Sequence, residues 1–396
     1  PPMNIRQTLR EVYYIVTDKT LLYFSLSSGI STLAYSMLTY YFPIIMSDLG
    51  ISTFTIGMVY SVISSLYVVF NVPLGALVDK MGSRNALTLS ALMAVPLFLL
   101  MGALNPLLFI ISLIIFALVR IINSLGAHRF MLNYTNAGKA FGAFSLITSV
   151  LAAIGITLGG YFLQRSVLTP IFAVVAALFG ASGVIRFLGL PRDEKRSEAK
   201  RSLLLGLKYL KEDKKLLLYL LVSVLSSSLS LETYYVTIYF VKDLLMPLTL
   251  VGLLYSSYAL IMALLPLLFS IILSKHSNFK ALSALVLSDS VIFFLVPLFN
   301  DLYVLFVLFY AWAVIVATES IVGYNVMQGV TKPEIRGTQV ALVGTFVNLF
   351  SIFYNAIVGL MFQIEPLYSF YFTGFLGILS FLTLEFAEFT GIFRES

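Results

Sequence analysis

The sequence predicts an all-α polytopic membrane protein with twelve transmembrane helices, arranged as two six-helix bundles related by a pseudo-twofold axis along the membrane normal. Three observations predict it: the chain carries too little charge for a water-soluble surface, its long apolar runs are separated by short loops, and its second half repeats its first. Of 396 residues, 59% are hydrophobic and 11% charged, whereas soluble domains hold about 45–50% apolar and about 25% charged residues. A fold of this composition has lipid as its solvent.

Twelve apolar runs are long enough to cross the ~30 Å hydrocarbon core. They lie near 20–46, 55–78, 85–104, 107–131, 141–163, 168–189, 215–241, 250–273, 280–299, 302–327, 338–362 and 367–389. Most connections are a few residues rich in Gly, Pro, Asn or Asp (Ser47-Asp48-Leu49-Gly50; Asn105-Pro106), so consecutive spans are antiparallel neighbours. No cleavable signal peptide is expected, because the polar stretch from Asn4 to Lys19 leads straight into a full-length span.

Orientation follows from Lys and Arg, which concentrate on the cytoplasmic side. With the N-terminus inside, twenty-two of the 25 fall on inner segments; Arg165 and Lys242 fall outside, and Arg120 lies within a span. Both termini are thus expected in the cytoplasm, with the protein in the cytoplasmic (plasma) membrane. The same distribution explains the net charge of +6 as a membrane-facing asymmetry, and no nucleic-acid partner is expected. There is no cysteine, which excludes disulfides, thiolate catalysis and iron–sulfur clusters. His128 and His276 are the two histidines; no metal or other cofactor is expected.

The second half repeats the first at an offset of 195 residues. Asp18-Lys19 recurs as Asp213-Lys214, Tyr40 as Tyr235, Asp48-Leu49 as Asp243-Leu244 and Gly57 as Gly252. Tyr60-Ser61 recurs as Tyr255-Ser256, Lys80 as Lys275, Asn105 as Asn300 and Gly142 as Gly337. Six spans per half is an even number, so both halves have the same orientation, and the expected site lies at their interface. The domain reading is a first bundle over 1–189, a cytoplasmic linker over 190–214 and a second bundle over 215–396. Within the linker, Leu203, Leu207 and Leu210 share one helical face beside Lys208 and Lys211, as in a short amphipathic helix on the inner membrane surface or in a solvated linker helix.

The loop after span 2 reads Gly75-Ala76-Leu77-Val78-Asp79-Lys80-Met81-Gly82-Ser83-Arg84-Asn85. Gly75 lets span 2 approach another helix, and Gly82 permits a tight reversal. The stretch resembles the cytoplasmic loop 2–3 signature of the major facilitator superfamily, with Asn85 where a second basic residue is usual. The resemblance extends over nearly the whole chain. Span 4 holds Arg120-Ile121-Ile122-Asn123-Ser124, similar to the family's span-4 motif. Span 5 holds Gly155-Ile156-Thr157-Leu158-Gly159-Gly160, similar to that of its antiporter branch except that Ile156 replaces a proline; helix packing alone also explains these glycines. Lys332-Pro333-Glu334-Ile335-Arg336-Gly337-Thr338 is similar to the loop between spans 10 and 11.

The resemblance implies secondary transport of a small-molecule substrate by alternating access, by a monomer in the lipid bilayer, and not an enzyme. It also implies a conformational latch of Gly75, Asp79, Lys80, Gly82, Arg84 and Arg336. In that latch Asp79 meets the N-terminal dipole of span 11, with Arg84 or Arg336 as charge partner. The family lines its central cavity with spans 1, 4, 7 and 10. Charged residues inside spans are costly and face a cavity or a partner, so Arg120, Glu232 and Glu319 are candidates for the substrate or proton pathway. Asn123, Tyr35, Tyr235 and Asn325 join them as polar groups on the same spans. Asp289 is expected to pair with a nearby lysine.

Proton-coupled export of lipophilic or drug-like compounds is the leading expectation, with uptake of a polar nutrient or organic anion as the alternative. A competing enzyme reading rests on Gly180-Ala181-Ser182-Gly183, a pattern shared with rhomboid-like intramembrane proteases, in which Ser182 would be the nucleophile.

Overall fold

The computed structural model describes residues 18–132, 137–165, 167–191, 214–231, 233–275, 279–331 and 336–390. The apolar runs are helices: α1 (Lys19–Thr39), α2 (Phe42–Asp48), α3 (Thr53–Met81), α4 (Ser83–Met101), α5 (Pro106–Leu132), α6 (Ala137–Gln164), α7 (Leu168–Gly189), α8 (Lys214–Leu231), α9 (Thr233–Ile238), α10 (Leu248–Lys275), α11 (Phe279–Leu295), α12 (Leu302–Val330), α13 (Arg336–Ile364) and α14 (Pro366–Phe389). Among the described residues, eleven helical segments are long and apolar enough to cross a membrane. The seventh run is described as α8 and α9 on either side of residue 232, which lies outside the described residues, and ends in a π-turn at Tyr239–Asp243. The linker's amphipathic stretch at 203–211 also lies outside the described residues.

The first span breaks between α1 and α2, where Pro43 sits in the first turn of α2. Proline is tolerated there because that N–H has no intrahelical acceptor. Helix starts are capped by short acceptors, as orphan N–H groups require. Asp18 accepts from Leu21 N–H at 3.1 Å. Asn105 accepts from Leu107 and Leu108 N–H at 3.0 and 3.1 Å. Asp301 accepts from Tyr303 and Val304 N–H at 2.8 and 3.1 Å.

The repeat is visible in the backbone. Span 1 ends at Asp48-Leu49-Gly50 with Gly50 at φ 81°, and span 7 ends at Asp243-Leu244-Leu245 with Leu245 at φ 52°. The offset of 195 thus places the same left-handed residue before span 2 and before span 8, once as glycine and once as leucine. Gly82 has φ 81°, the reversal expected of it.

The chain forms two compact units. The first comprises Pro1–Ser52, Leu66–Glu198 and Thr237–Ala263; the second comprises Thr53–Ser65, Ala199–Val236 and Leu264–Ser396. Within the first, α1 packs on α6 and α7, and α4 packs on α5 and α7. Within the second, α8 packs on α13 and α14, and α11 packs on α12 and α14. Those are the same pairings six spans later.

Small residues make these contacts close, as expected where lipid supplies no hydrophobic drive between helices. In the first unit a Cβ on Gly155 would run into the Leu33 carbonyl and Ser36 hydroxyl, and one on Gly159 into the Met37 carbonyl, so α1 and α6 touch backbone to backbone. In the second, Cβ atoms on Gly374 and Gly377 would collide with Phe294 and Ser290 of α11. Leu21, Phe24, Leu87, Phe130, Met131 and Leu190 form a cluster in the first unit, with Phe24 stacked 4.2 Å from Phe130.

Candidate functional site

The first unit holds the cationic candidate. Arg120 lies midway along α5, where Val119, Ile121 and Ile122 are buried and the Arg120 side chain is exposed. Its guanidinium lies 4.3 Å from the ring centroid of Tyr35 on α1 and donates to the Tyr35 hydroxyl. Tyr35 in turn packs on Phe116, one turn below Arg120, with ring centroids 5.8 Å apart. Tyr67 of α3 is the third member, within electrostatic range of both Arg120 and Tyr35. A guanidinium stacked on one tyrosine and hydrogen-bonded through its hydroxyl presents a fixed planar donor edge, which suits an anionic or strongly polar group. Two of these residues were legible in the sequence. Tyr67 was not, since nothing distinguishes it from other tyrosines in apolar runs.

Asn123 does not join Arg120, although it lies three residues on. Its Oδ1 accepts from Arg186 Nη1 at 2.8 Å and from Ser90 Oγ at 3.3 Å. The same Nη1 donates to the Leu87 carbonyl at 2.8 Å. Arg186 is 1% exposed, so α4, α5 and α7 meet around a buried guanidinium. The sequence reading counts Arg186 among the cytoplasmic flanking charges. It is instead inside α7, because three residues of helix follow it and its side chain turns inward.

The second unit holds the acidic candidates. Leu282 of α11 lies against Gly323 of α12, and Phe293 lies edge-on to Trp312 with centroids 6.3 Å apart. Between those two contacts the antiparallel register brings Asp289 alongside the turns carrying Trp312 and Glu319. Asp289 is 1% exposed and has Glu319 as its charged neighbour. Among the described residues no lysine stands beside it: Lys280 lies nine residues away, about 13 Å along the helix, and pairs with Glu388 at 3.0 Å. Tyr219 of α8 is a further neighbour of Glu319, its hydroxyl donating to the Gly323 carbonyl at 3.1 Å. Asn325 lies six residues after Glu319, which turns it about 120° away on α12. Glu232 lies outside the described residues.

Tyr235 is fully buried, its hydroxyl donating to the Asn355 carbonyl at 2.9 Å. It is engaged in helix packing. Tyr40 and Tyr41 behave similarly in the first unit: Tyr40 stacks on Tyr255 at 4.5 Å, and Tyr41 donates to the Ile156 carbonyl at 2.9 Å.

Asp79 and Arg84 of the loop have partners within the first unit. Asp79 pairs with Arg129, at the end of α5, at 2.7 Å. Arg84 stacks on Phe187, 4.9 Å from its centroid, and donates to the Phe187 carbonyl. Among the described residues, a Cβ on Gly75 would meet nothing within 4 Å, and Ala76 and Leu77 beside it are exposed. Lys80 is exposed at the last turn of α3. The Arg336 side chain lies outside those described.

Ser182 is saturated. It donates to the Ser27 carbonyl at 2.8 Å, accepts from Ser31 at 2.7 Å and is fully buried. His128 lies at the far end of α5, bonded to the Ser124 carbonyl. That arrangement joins α1 to α7 and offers no nucleophile.

Apolar spans whose packing repeats six spans on, with charged groups held among them, define a polytopic membrane protein built as an internal repeat. The sequence profile of the Major Facilitator Superfamily matches residues 24–318, and the chain belongs to that family. Solved structures share its fold. The nucleoside transporter NupG superposes with a TM-score of 0.76 at 14% identity, covering 95% of this chain and 100% of that one. The human organic anion transporter MFSD10 (TETRAN) gives 0.66 at 16%, covering 92% and 99%. A bacterial homologue of the human lysosomal transporter Spinster, inward-facing and occupied, gives 0.72 at 12%, covering 93% and 96%. No curated protein sequence matches the chain.

Proposed function

We propose that the chain exports a small, largely apolar organic solute by alternating access in exchange for protons, from a cytoplasmic membrane in which both termini face inward. The observation that carries the reading is the division of labour between the halves. The first presents an accessible guanidinium on an aromatic platform, Arg120 on Tyr35 with Tyr67 beside it. The second holds neighbouring carboxyls, a buried Asp289 and a half-buried Glu319. A proton acceptor in one bundle and a ligand contact in the other allow one rocking motion to serve both. The antiporter-like glycines of span 5 support export. The 190–214 linker divides the bundles, and the Asp79 loop acts as the cytoplasmic latch.

The test is solute flux in proteoliposomes under imposed pH gradients of both signs. Exchange predicts solute accumulation against the proton flow, abolished by collapsing the gradient. Glu319→Gln should remove the pH dependence while leaving exchange of solute for solute. Unchanged pH dependence in Glu319→Gln, Asp289→Asn and Glu232→Gln would sink the proton assignment. The accessible Arg120–Tyr35 edge favours one second reading, uptake of an organic anion, which the same assay reports as accumulation down the proton gradient.

A further inference from the structure

Within the second unit, α11 and α12 meet along two matching stripes. The Leu282–Gly323 and Phe293–Trp312 contacts fix one antiparallel register, in which Asp289 stands level with Val316. Leu282, Val286, Asp289 and Phe293 follow one another at steps of four, three and four residues on α11; Trp312, Val316, Glu319 and Gly323 take the same steps on α12. Such steps keep side chains on one face of a helix. The stripe of α11 is buried throughout. Asp289 therefore has Trp312 about one turn to one side and Glu319 just under one turn to the other, a carboxyl on each helix of the same seam.

A carboxylate removed from water needs a cation, donors or a proton. Among the described residues no cation reaches this seam. On α11, Lys280 is about two and a half turns away and held by Glu388. On α14, Gly377 packs on Ser290. Tyr371 and Glu385 are six and eight residues from that level, about 9 and 12 Å along the helix, and Glu385 accepts from Ser283 at 2.6 Å. On α8, the Tyr219 hydroxyl bonds the Gly323 carbonyl one turn from Glu319, and Lys215 stands a turn before Tyr219, on the side away from Glu319. On α12 itself Tyr310 and Tyr324 are exposed. Trp312 is the neutral polar neighbour of Asp289, and Asp289 Oδ1 has no hydrogen-bond partner among the described residues.

The costly state of such a seam is the dianion, which sets two like charges across an apolar contact with no cation to offset them. One proton between the two removes that cost. The two carboxyls also differ in access: Asp289 is 1% exposed, whereas Glu319 is half-buried.

We infer that Asp289 and Glu319 form one proton site rather than two, a pair across the α11–α12 seam that retains one proton and exchanges the other. Glu319 is the member that exchanges with solvent, and Asp289 is a positioning residue that acts through it. Two carboxyls then deliver one proton per cycle. Its place in transport rests on the proton-exchange reading, but the titration below reads the pair itself.

Trp312 is the single tryptophan and lies on the α12 stripe with Glu319, so its emission reports the charge of the seam. Emission is followed against pH in lipid nanodiscs for the parent, Asp289→Asn, Glu319→Gln, the double variant and Glu319→Lys. A coupled pair titrates in two steps more than about one pH unit apart. The upper step exists only because the neighbour is already ionised. Either single substitution should therefore abolish the upper step and leave the lower, and the double variant should show neither. Two independent sites would instead lose the upper step in one variant and the lower in the other, and that result, or a flat parent, would overturn the inference. Should Asp289→Asn fail to fold, Glu319→Lys keeps the test open. A lysine there pairs with Asp289, so both steps should vanish and the melting temperature should be no lower than that of Glu319→Gln; persistent titration or a lower melt would overturn the pairing. Flux indifferent to pH in a protein with both coupled steps would refute the exchange reading and leave the shared site standing. Flux that follows pH in a protein with independent steps would do the reverse.

Discussion

Replacing Arg186 by methionine tests whether the buried polar network of the first unit is a stabilising element. The guanidinium is 1% exposed and its Nη1 makes two hydrogen bonds of 2.8 Å, to the Leu87 carbonyl and to Asn123. Bonds to a charged donor are worth about 1.5–3 kcal/mol each, net of the water given up, hence about 3–6 kcal/mol together. Methionine is of similar length and recovers about 1–2 kcal/mol of apolar packing. The expected loss is therefore about 1–5 kcal/mol. At about 2–4 °C per kcal/mol for a body of roughly this size, the melting temperature should fall by about 2–20 °C. The single tryptophan, Trp312, reports the second unit, so the assay is the folded peak on size exclusion after heating in detergent. Adding Asn123→Leu should cost less than the two single losses combined, by about 1–2 kcal/mol, because the two side chains share one bond. If Arg186→Met is as stable as the parent or more so, burial of the guanidinium is a net cost, and the network is not what holds α4, α5 and α7 together.

Arg120→Lys keeps the charge but loses the planar stack on Tyr35, and should lower the initial flux per unit substrate by about tenfold or more; Tyr35→Phe, which keeps the ring, should have a smaller effect. Equal flux in Arg120→Lys and parent would remove Arg120 from the substrate path. The Asp79–Arg129 pair has its acid 63% exposed, so Asp79→Asn should change stability by no more than about 1 kcal/mol. Transport should nonetheless fall markedly if the loop acts as a latch, and thermal melts run beside flux assays separate the two effects. Leu245 is in the left-handed region at φ 52° and 81% exposed. A left-handed conformation costs a side-chain-bearing residue about 1–2 kcal/mol and glycine's extra entropy about 0.5–1 kcal/mol, so Leu245→Gly should stabilise by about 0.5–1 kcal/mol in a thermal scan. A loss of stability would contradict the repeat-based assignment of that turn.

Much of the architecture was readable before any coordinates. The charge deficit names lipid as the solvent, and the length of each apolar run counts the spans. The polar loop residues align the halves because Asp, Asn and Gly are scarce enough here to be informative. Arg120, Tyr35 and Glu319 were also readable, since an ionisable group in an apolar run is costly and needs a reason. Asp289 drew notice by the same rule but was matched with a lysine, because distance along the chain stood in for distance between helices.

What the sequence by itself determined is therefore the medium, the number of spans, the short connections and the internal repeat, all of which depend on composition and spacing along one chain. Tertiary structure alone decided which way each helix turns about its axis. It separated Arg120 from Asn123, buried Arg186, set Asp289 beside Glu319 and tied Tyr41 and Tyr235 to the carbonyls of Ile156 and Asn355. The physical reason is that a helix apolar on every side carries no stripe to mark its inward face. In lipid that face is chosen by close backbone contact and by the few polar groups that must find partners, and those partners lie up to about three hundred residues away.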